Sequence, residues 1–271
     1  MKIRAAISPC PNDVFIFSGL ITGAILKPHD PEFEFSFFEL ETLNTQAQLA
    51  EWDLVKISYA NYPNCSENYS LLKSGGALGR GCGPLLLSNQ KNFDPTIPIL
   101  VPGQYTTANF LLDYFLEHTQ KLLCAEKPKK VLLPFDELYQ KLLSPQIFQG
   151  VVIHEMRFIY QQDGLKLIQD LGEFWEKQTG FPIPLGAVVL KKSLAGISAQ
   201  IEALIERSIT WAYANRQDAL ALCRQYSQSL TESVLQSHID LYVNDFSKNV
   251  GADGQAAIDF FFSKLRHFFP K

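Results

Sequence analysis

Methionine and tryptophan are scarce, at two and three residues. The five cysteines, Cys10, Cys65, Cys82, Cys124 and Cys223, are odd in number and widely spaced, and no CxxC occurs. This pattern argues against a disulfide framework or a zinc site and leaves reduced, mostly buried thiols. The net charge is −4, and no block of Lys or Arg breaks it. A nucleic-acid binder normally carries a basic stripe, so no nucleic-acid partner is expected. No apolar run approaches the roughly 20 residues of a membrane span. Met1-Lys2-Ile3-Arg4 enters a strand at once, with no apolar stretch long enough for a signal sequence. These absences set the expectation of a cytoplasmic protein with no membrane partner.

Several motifs are also missing. The segment Gly75-Gly76-Ala77-Leu78-Gly79-Arg80-Gly81-Cys82-Gly83-Pro84 is rich in glycine. It lacks the third glycine of a dinucleotide fingerprint at the required spacing, and no Gly-Lys-Ser/Thr makes it a phosphate loop. It reads as a hinge with close backbone approach or as a ligand-contacting loop. His154-Glu155 has no second histidine at zinc-binding spacing. No G-x-S-x-G elbow or Ser-His-Asp order can be read.

What the 271 residues do contain is a 46% hydrophobic and 19% charged composition, ordinary for a folded chain, with twenty Phe to fill aromatic-rich cores. Ile3 to Ser8 reads as a strand, followed by a proline-fixed turn that Asn12 or Asp13 can cap and a helix from Val14 to Ile25. Phe33, Phe35 and Phe37 alternate as a strand. A helix over Leu40 to Ala50 and strands at Asp53 to Ser58 and Leu85 to Leu87 follow. A second set begins with strand Pro98 to Val101 and a helix over Ala108 to Leu116. It continues through strands at Val131 to Phe135, Gly150 to His154 and Pro184 to Leu190, with helices at Asp136 to Leu143 and Leu165 to Gln178. From Ile197 the pattern is helical only. Strands alternating with helices predict an α/β protein of two lobes with mixed, mostly parallel sheets flanked by helices and a ligand cleft between the lobes. The expected lobes are 1–97 with 197–271, and 98–196.

Four places could carry chemistry. Lys56-Ile57-Ser58 ends a strand; Lys56 and Ser58 share a face, and Ser58 is either a donor to ligand or a strand end without a role. Thr106, Thr107 and Ala108 lie where a helix begins after a strand. Free N–H groups and hydroxyls there suit a small carboxylate, and ordinary capping by one threonine explains them equally well. His154 follows the apolar run Gly150-Val151-Val152-Ile153 and reads as the carboxyl end of a buried strand. Imidazole is the usual base near neutral pH, and a structural histidine is the alternative. Asp170 and Glu173 read as a solvated helix face.

The ordered set of short motifs resembles 1,4-dihydroxy-6-naphthoate synthases of menaquinone biosynthesis. It comprises Ser8-Pro9-Cys10-Pro11-Asn12-Asp13, Gly76 to Pro84, the Pro102 to Ala108 turn, Gly150 to Glu155, Asp170-Leu171-Gly172-Glu173-Phe174-Trp175-Glu176, Pro182 to Gly186 and Leu241-Tyr242-Val243-Asn244. The segment Gln120 to Lys130 departs from the resemblance by its length and reads as a surface loop. The resemblance implies a fold like the type II periplasmic solute-binding proteins and a lyase of the futalosine route. That enzyme takes cyclic dehypoxanthinyl futalosine to 1,4-dihydroxy-6-naphthoate and dihydroxyacetone, with no metal and no organic cofactor expected. It implies His154 as proton acceptor and Lys56, Ile57, Ser58, Thr107 and Ala108 as substrate-binding positions. The alternatives are a solute-binding protein for a small carboxylate, or chorismate dehydratase of the same pathway and fold.

Overall fold

A computed structural model describes residues 1–268 apart from 91, 124–127, 228 and 229. In chain order the elements are β1 (Lys2–Ile7), α1 (Pro11–Ile21), β2 (Glu32–Phe37), α2 (Leu40–Gln48), β3 (Leu54–Ser58), α3 (Tyr62–Cys65), β4 (Tyr69–Leu71) and β5 (Ala77–Gly79). Next come β6 (Leu85–Ser88), β7 (Ile99–Val101), α4 (Thr107–Leu123), β8 (Lys130–Leu132), α5 (Phe135–Leu143), β9 (Gln149–Val152), α6 (Met156–Ile159), β10 (Lys166–Asp170) and α7 (Leu171–Thr179). The chain ends with β11 (Ile183–Lys191), α8 (Ser198–Ala214), α9 (Arg216–Tyr226), α10 (Glu232–Tyr242), α11 (Asp245–Lys248) and α12 (Gly251–Phe268). No helix among the described residues is long and apolar enough to cross a membrane.

The contacts divide the chain into two units, Met1–Gly79 with Pro184–Ala256, and Arg80–Ile183 with Ala257–Lys271. The expected boundaries at 97 and 197 differ from these. The first boundary moves because β6 is hydrogen-bonded between β9 and β10 and so belongs to the second sheet, and the second because β11 pairs with β3 and β4 in the first. The helical tail is also shared out, because the last turns of α12 carry Phe261 into the second unit's core.

The first unit's sheet runs β2-β1-β3-β11-β4, with β5 also on β11. β1 is parallel to β2 and β3, whereas β11 is antiparallel to β3 and β4. Every residue of β3 is buried, as a strand covered on both faces requires. Helix α1 is buried from Pro11 to Leu20 and packs against α8, α9 and α10. An apolar surface all round is what such a central helix needs. Pro11 opens it at the first helical position after Cys10, where no backbone N–H is missed. The expected caps Asn12 and Asp13 thus fall inside the first turn, free to point at other partners.

The second unit's sheet runs β10-β6-β9-β7-β8, with β7 parallel to β8 and β9 and β6 antiparallel to β9 and β10. Antiparallel pairing thus takes a larger share of both sheets than the strand–helix alternation suggests. Trp175 of α7 is fully buried, and its ring meets Phe110, Tyr114 and Phe261 edge-on.

Two expectations need correction here. The helix expected over Leu165 to Gln178 is a strand and then a helix, β10 and α7. Asp170 is the N-cap of α7, accepting from the N–H groups of Gly172 and Glu173 at 2.9 and 3.0 Å, and is no solvated face residue. In the segment 120–130, Gln120 to Leu123 continues α4, Lys130 opens β8, and 124–127 lie outside the described residues.

Gly83 and Gly172 cross backbone to backbone. A Cβ on Gly83 would sit 2.3 Å from the Gly172 Cα. Neither backbone can yield as a flexible side chain could, so Gly83→Ala should destabilise the protein by about 1–3 kcal/mol. At roughly 2–4 °C per kcal/mol for a chain of this size, a thermal melt should fall by several degrees. An unchanged melt would show that the crossing tolerates a methyl group.

Candidate functional site

The first unit holds a buried polar network at the carboxyl ends of β1 and β3. Lys56 is 2% exposed, and its Nζ donates to Asp13 Oδ1 at 2.6 Å and to the Gly75 carbonyl at 2.9 Å. Asp13 also accepts from the Ser8 hydroxyl at 2.7 Å and from Asn12 Nδ2 at 2.8 Å. Because the Asn12 amide group donates to Asp13, its oxygen is the acceptor for His238 Nε2, 3.0 Å away. His238 on α10 therefore donates through Nε2. Ions this deep persist only when paired and hydrogen-bonded. An ammonium has three N–H donors; two are used, and the third has no acceptor among the described residues. Gly186 faces this lysine across the β3–β11 pairing, and a Cβ there would meet Lys56 Cε at 2.9 Å. The Pro182 to Gly186 motif thus ends in the one residue type that leaves room for the lysine stem.

Ser58 closes β3 and is fully buried. Its N–H donates to Asn44 Oδ1 at 2.8 Å, and its hydroxyl oxygen accepts from Asn44 Nδ2 at 3.3 Å. The Ser58 O–H itself has no acceptor among the described residues, so it remains a donor. Ile57 between them is buried core, paired in register with Ala187.

The second unit supplies a helix start. Thr106 precedes α4; its hydroxyl donates to the Gly103 carbonyl at 3.0 Å and accepts from the Asn109 N–H at 3.1 Å. Thr106 is thus the cap, one of the two readings its position allowed. Thr107 and Ala108 form the first two helical positions and are 3% exposed. Their N–H groups belong to the first turn, where helix donors outnumber helix acceptors and a carboxylate is favoured.

His154 lies two residues beyond the end of β9 and not on the strand. Its φ of +59° is left-handed, a conformation open to few residues, with His among the more tolerant. Glu155 then returns to the right-handed region and starts α6. The half-buried imidazole meets the Phe135 ring edge-on, with centroids 5.2 Å apart. The turn lifts the ring off the strand, so the side chain stands at the carboxyl end of the sheet, as an active residue does in α/β proteins.

Within each unit the expected residues come together: Lys56, Ile57 and Ser58 on one strand end of the first, Thr106, Thr107 and Ala108 on one helix start of the second. Asp13, Asn12, Ser8, Asn44 and His238 escaped sequence reasoning. The signal available was the polar cluster Ser8, Asn12 and Asp13 at the mouth of an otherwise apolar helix. Among the described residues, no group of three or more His, Cys, Asp or Glu could hold a metal ion. Cys10, Cys65, Cys82 and Cys223 are thiols outside any disulfide, and burial pushes Cys65, Cys82 and Cys223 up to about 12, which leaves them unreactive.

Known proteins match this chain along nearly its whole length. The model of a family described as menaquinone biosynthesis matches residues 3–267. A relative from Thermus thermophilus, named 1,4-dihydroxy-6-naphtoate synthase, is 36% identical over 260 residues, covering 94% of this chain and 91% of its own. The crystal structure of protein AF1704 from Archaeoglobus fulgidus superposes with a TM-score of 0.90 at 29% identity, over 98% of this chain and 97% of that one. The alkanesulfonate-binding protein SsuA from Xanthomonas axonopodis pv. citri, bound to MOPS, gives a TM-score of 0.71 at 13% identity over 100% and 94% of the two chains. That likeness is one of fold, and the fold is that of the periplasmic binding proteins. On the full-length match and the ordered motifs, the chain belongs to the menaquinone biosynthesis family.

Proposed function

We propose that this protein is a carbon–carbon lyase that converts cyclic dehypoxanthinyl futalosine to 1,4-dihydroxy-6-naphthoate and dihydroxyacetone. The observation that carries the reading is the near full-length likeness to a relative named for that product. The substrate is a small anion. Thr107 and Ala108 at the start of α4 receive its carboxylate, and Lys56 and Ser58 offer the two buried donors described above. His154 removes a proton. Formation of a new aromatic ring drives cleavage of the carbon–carbon bond, so the protein's work is positioning, proton removal and exclusion of water. The reaction needs no added cofactor and takes place in the cytoplasm, a reducing compartment that suits four cysteines outside any disulfide.

The test is product formation from cyclic dehypoxanthinyl futalosine by the purified protein. Binding without turnover would make it a solute-binding protein of the same fold, and turnover of chorismate would move it to the dehydratase of the pathway. At the binding step, Thr107→Val keeps the side-chain shape and leaves the Thr106 cap intact. Loss of a hydrogen bond to a charged ligand, about 1.5–3 kcal/mol, should raise Kd roughly ten- to a hundredfold. Ser58→Ala should raise it by a similar or smaller factor. Calorimetry that finds Thr107→Val at the parent Kd would remove this helix start from the site.

A further inference from the structure

We infer that Arg157 is a positioning residue for His154, holding the left-handed turn through a frame built from three separate sequence motifs. The inference rests on the reading of His154 as the base. His154 leads into α6, a single turn of four residues with no buried side chain. A turn so short cannot hold its own conformation. Its polar anchor is Arg157. One guanidinium nitrogen donates to the Gly83 carbonyl at 2.7 Å and another to Asp170 Oδ2 at 2.6 Å. The side chains are 19% and 12% exposed, so the pair is largely shielded from water.

Both acceptors are themselves fixed. The second Asp170 oxygen is committed to capping α7, through the N–H groups of Gly172 and Glu173. Gly83 is locked against Gly172 by the backbone crossing already described. The glycine-rich segment, the Asp170 to Glu176 motif and the His154-Glu155 motif thus meet at one guanidinium. A planar fork can serve a carbonyl and a carboxylate at once, whereas the single ammonium of a lysine cannot reproduce that geometry. Arg157 need not touch the substrate. It fixes where α6 begins, and hence where the imidazole of a strained non-glycine residue stands.

The experiment measures kcat and KM with cyclic dehypoxanthinyl futalosine for Arg157→Gln, Arg157→Lys, Asp170→Asn, His154→Asn and the double variant His154→Asn/Arg157→Gln. A displacement of about 1 Å at a reacting group can cost about a hundredfold. Arg157→Gln should therefore lose kcat by about that factor with KM little changed. Arg157→Lys should recover only part of the loss. Asp170→Asn keeps a capping oxygen but removes the charge partner, so kcat should fall in the same direction. The double variant should be no slower than His154→Asn alone, because a missing base has no position to lose. Wild-type kcat in Arg157→Gln overturns the inference, as does a double variant slower than His154→Asn by the full Arg157→Gln factor. A wild-type rate in His154→Asn alone removes the base reading itself and this role with it, and is told apart because that single variant shows it. Should Arg157→Gln fail to fold, Arg157→Lys and Asp170→Asn carry the same cycle.

Discussion

His154→Asn should lower kcat by at least about a hundredfold, the loss expected when a general base is removed. Asparagine is the right replacement, because it tolerates the left-handed φ of +59° that position 154 requires. The turn into α6 and the Arg157 anchor sit outside the substituted ring, and only the edge-on contact with Phe135 goes with it. Thermal stability and substrate binding should therefore change little. A β-branched residue such as valine would confound the experiment by straining the backbone as well. The decisive measurement is product formation at saturating substrate, with binding measured separately by calorimetry. A folded variant that runs near the parent rate would make His154 a structural turn residue and send the search for a base elsewhere in the chain.

The sequence carried more of the elements than of their arrangement. Helix α10 falls in the stretch after Ile197 where the pattern is helical only, and β7, α5 and β11 fall within a residue or two of expectation. Strand β10 was misread because Leu165, Leu167 and Ile168 run directly into the helical Asp170-Leu171-Gly172-Glu173-Phe174-Trp175 pattern. As an edge strand it also leaves Leu167 44% exposed, so it has no buried run to announce itself. The crossing between units at Gly79 and Arg80 could not be read either. Alternation says that Leu85–Ser88 is a strand, but pairing with β9 and β10 decides which sheet receives it. The same limit applied to the sites. The strand end at Lys56 to Ser58 and the helix start at Thr106 to Ala108 are local features with local signals. The left-handed turn at His154 has none, since no glycine marks it. Asp13 and Lys56 are 43 positions apart, and Asn12 and His238 are 226 apart, so only the folded chain brings them together.

The Asp13–Lys56 pair gives the largest expected change in stability. Both side chains are 3% exposed, and their contact is 2.6 Å. Asp13→Asn keeps size and one acceptor oxygen but strips the lysine of its counter-charge. Removing one partner of a buried ion pair costs about 3–5 kcal/mol, a large part of the roughly 5–15 kcal/mol that holds a typical domain together. Urea denaturation should register the loss as an earlier midpoint at similar slope. The double variant Asp13→Asn/Lys56→Met removes both charges and fills the lysine's space with an apolar stem of similar reach. It should regain most of the stability, because a well-packed apolar replacement of a buried pair is often neutral. That variant also separates the lysine's two roles. If the third N–H of Lys56 binds the substrate anion, the refolded double variant should still bind the substrate roughly ten- to a hundredfold more weakly, the worth of one hydrogen bond to a charged group. Full stability with parent affinity would make the pair purely architectural. A loss below about 1 kcal/mol in Asp13→Asn would mean that the Gly75 carbonyl and the remaining amide oxygen hold the lysine without a counter-charge.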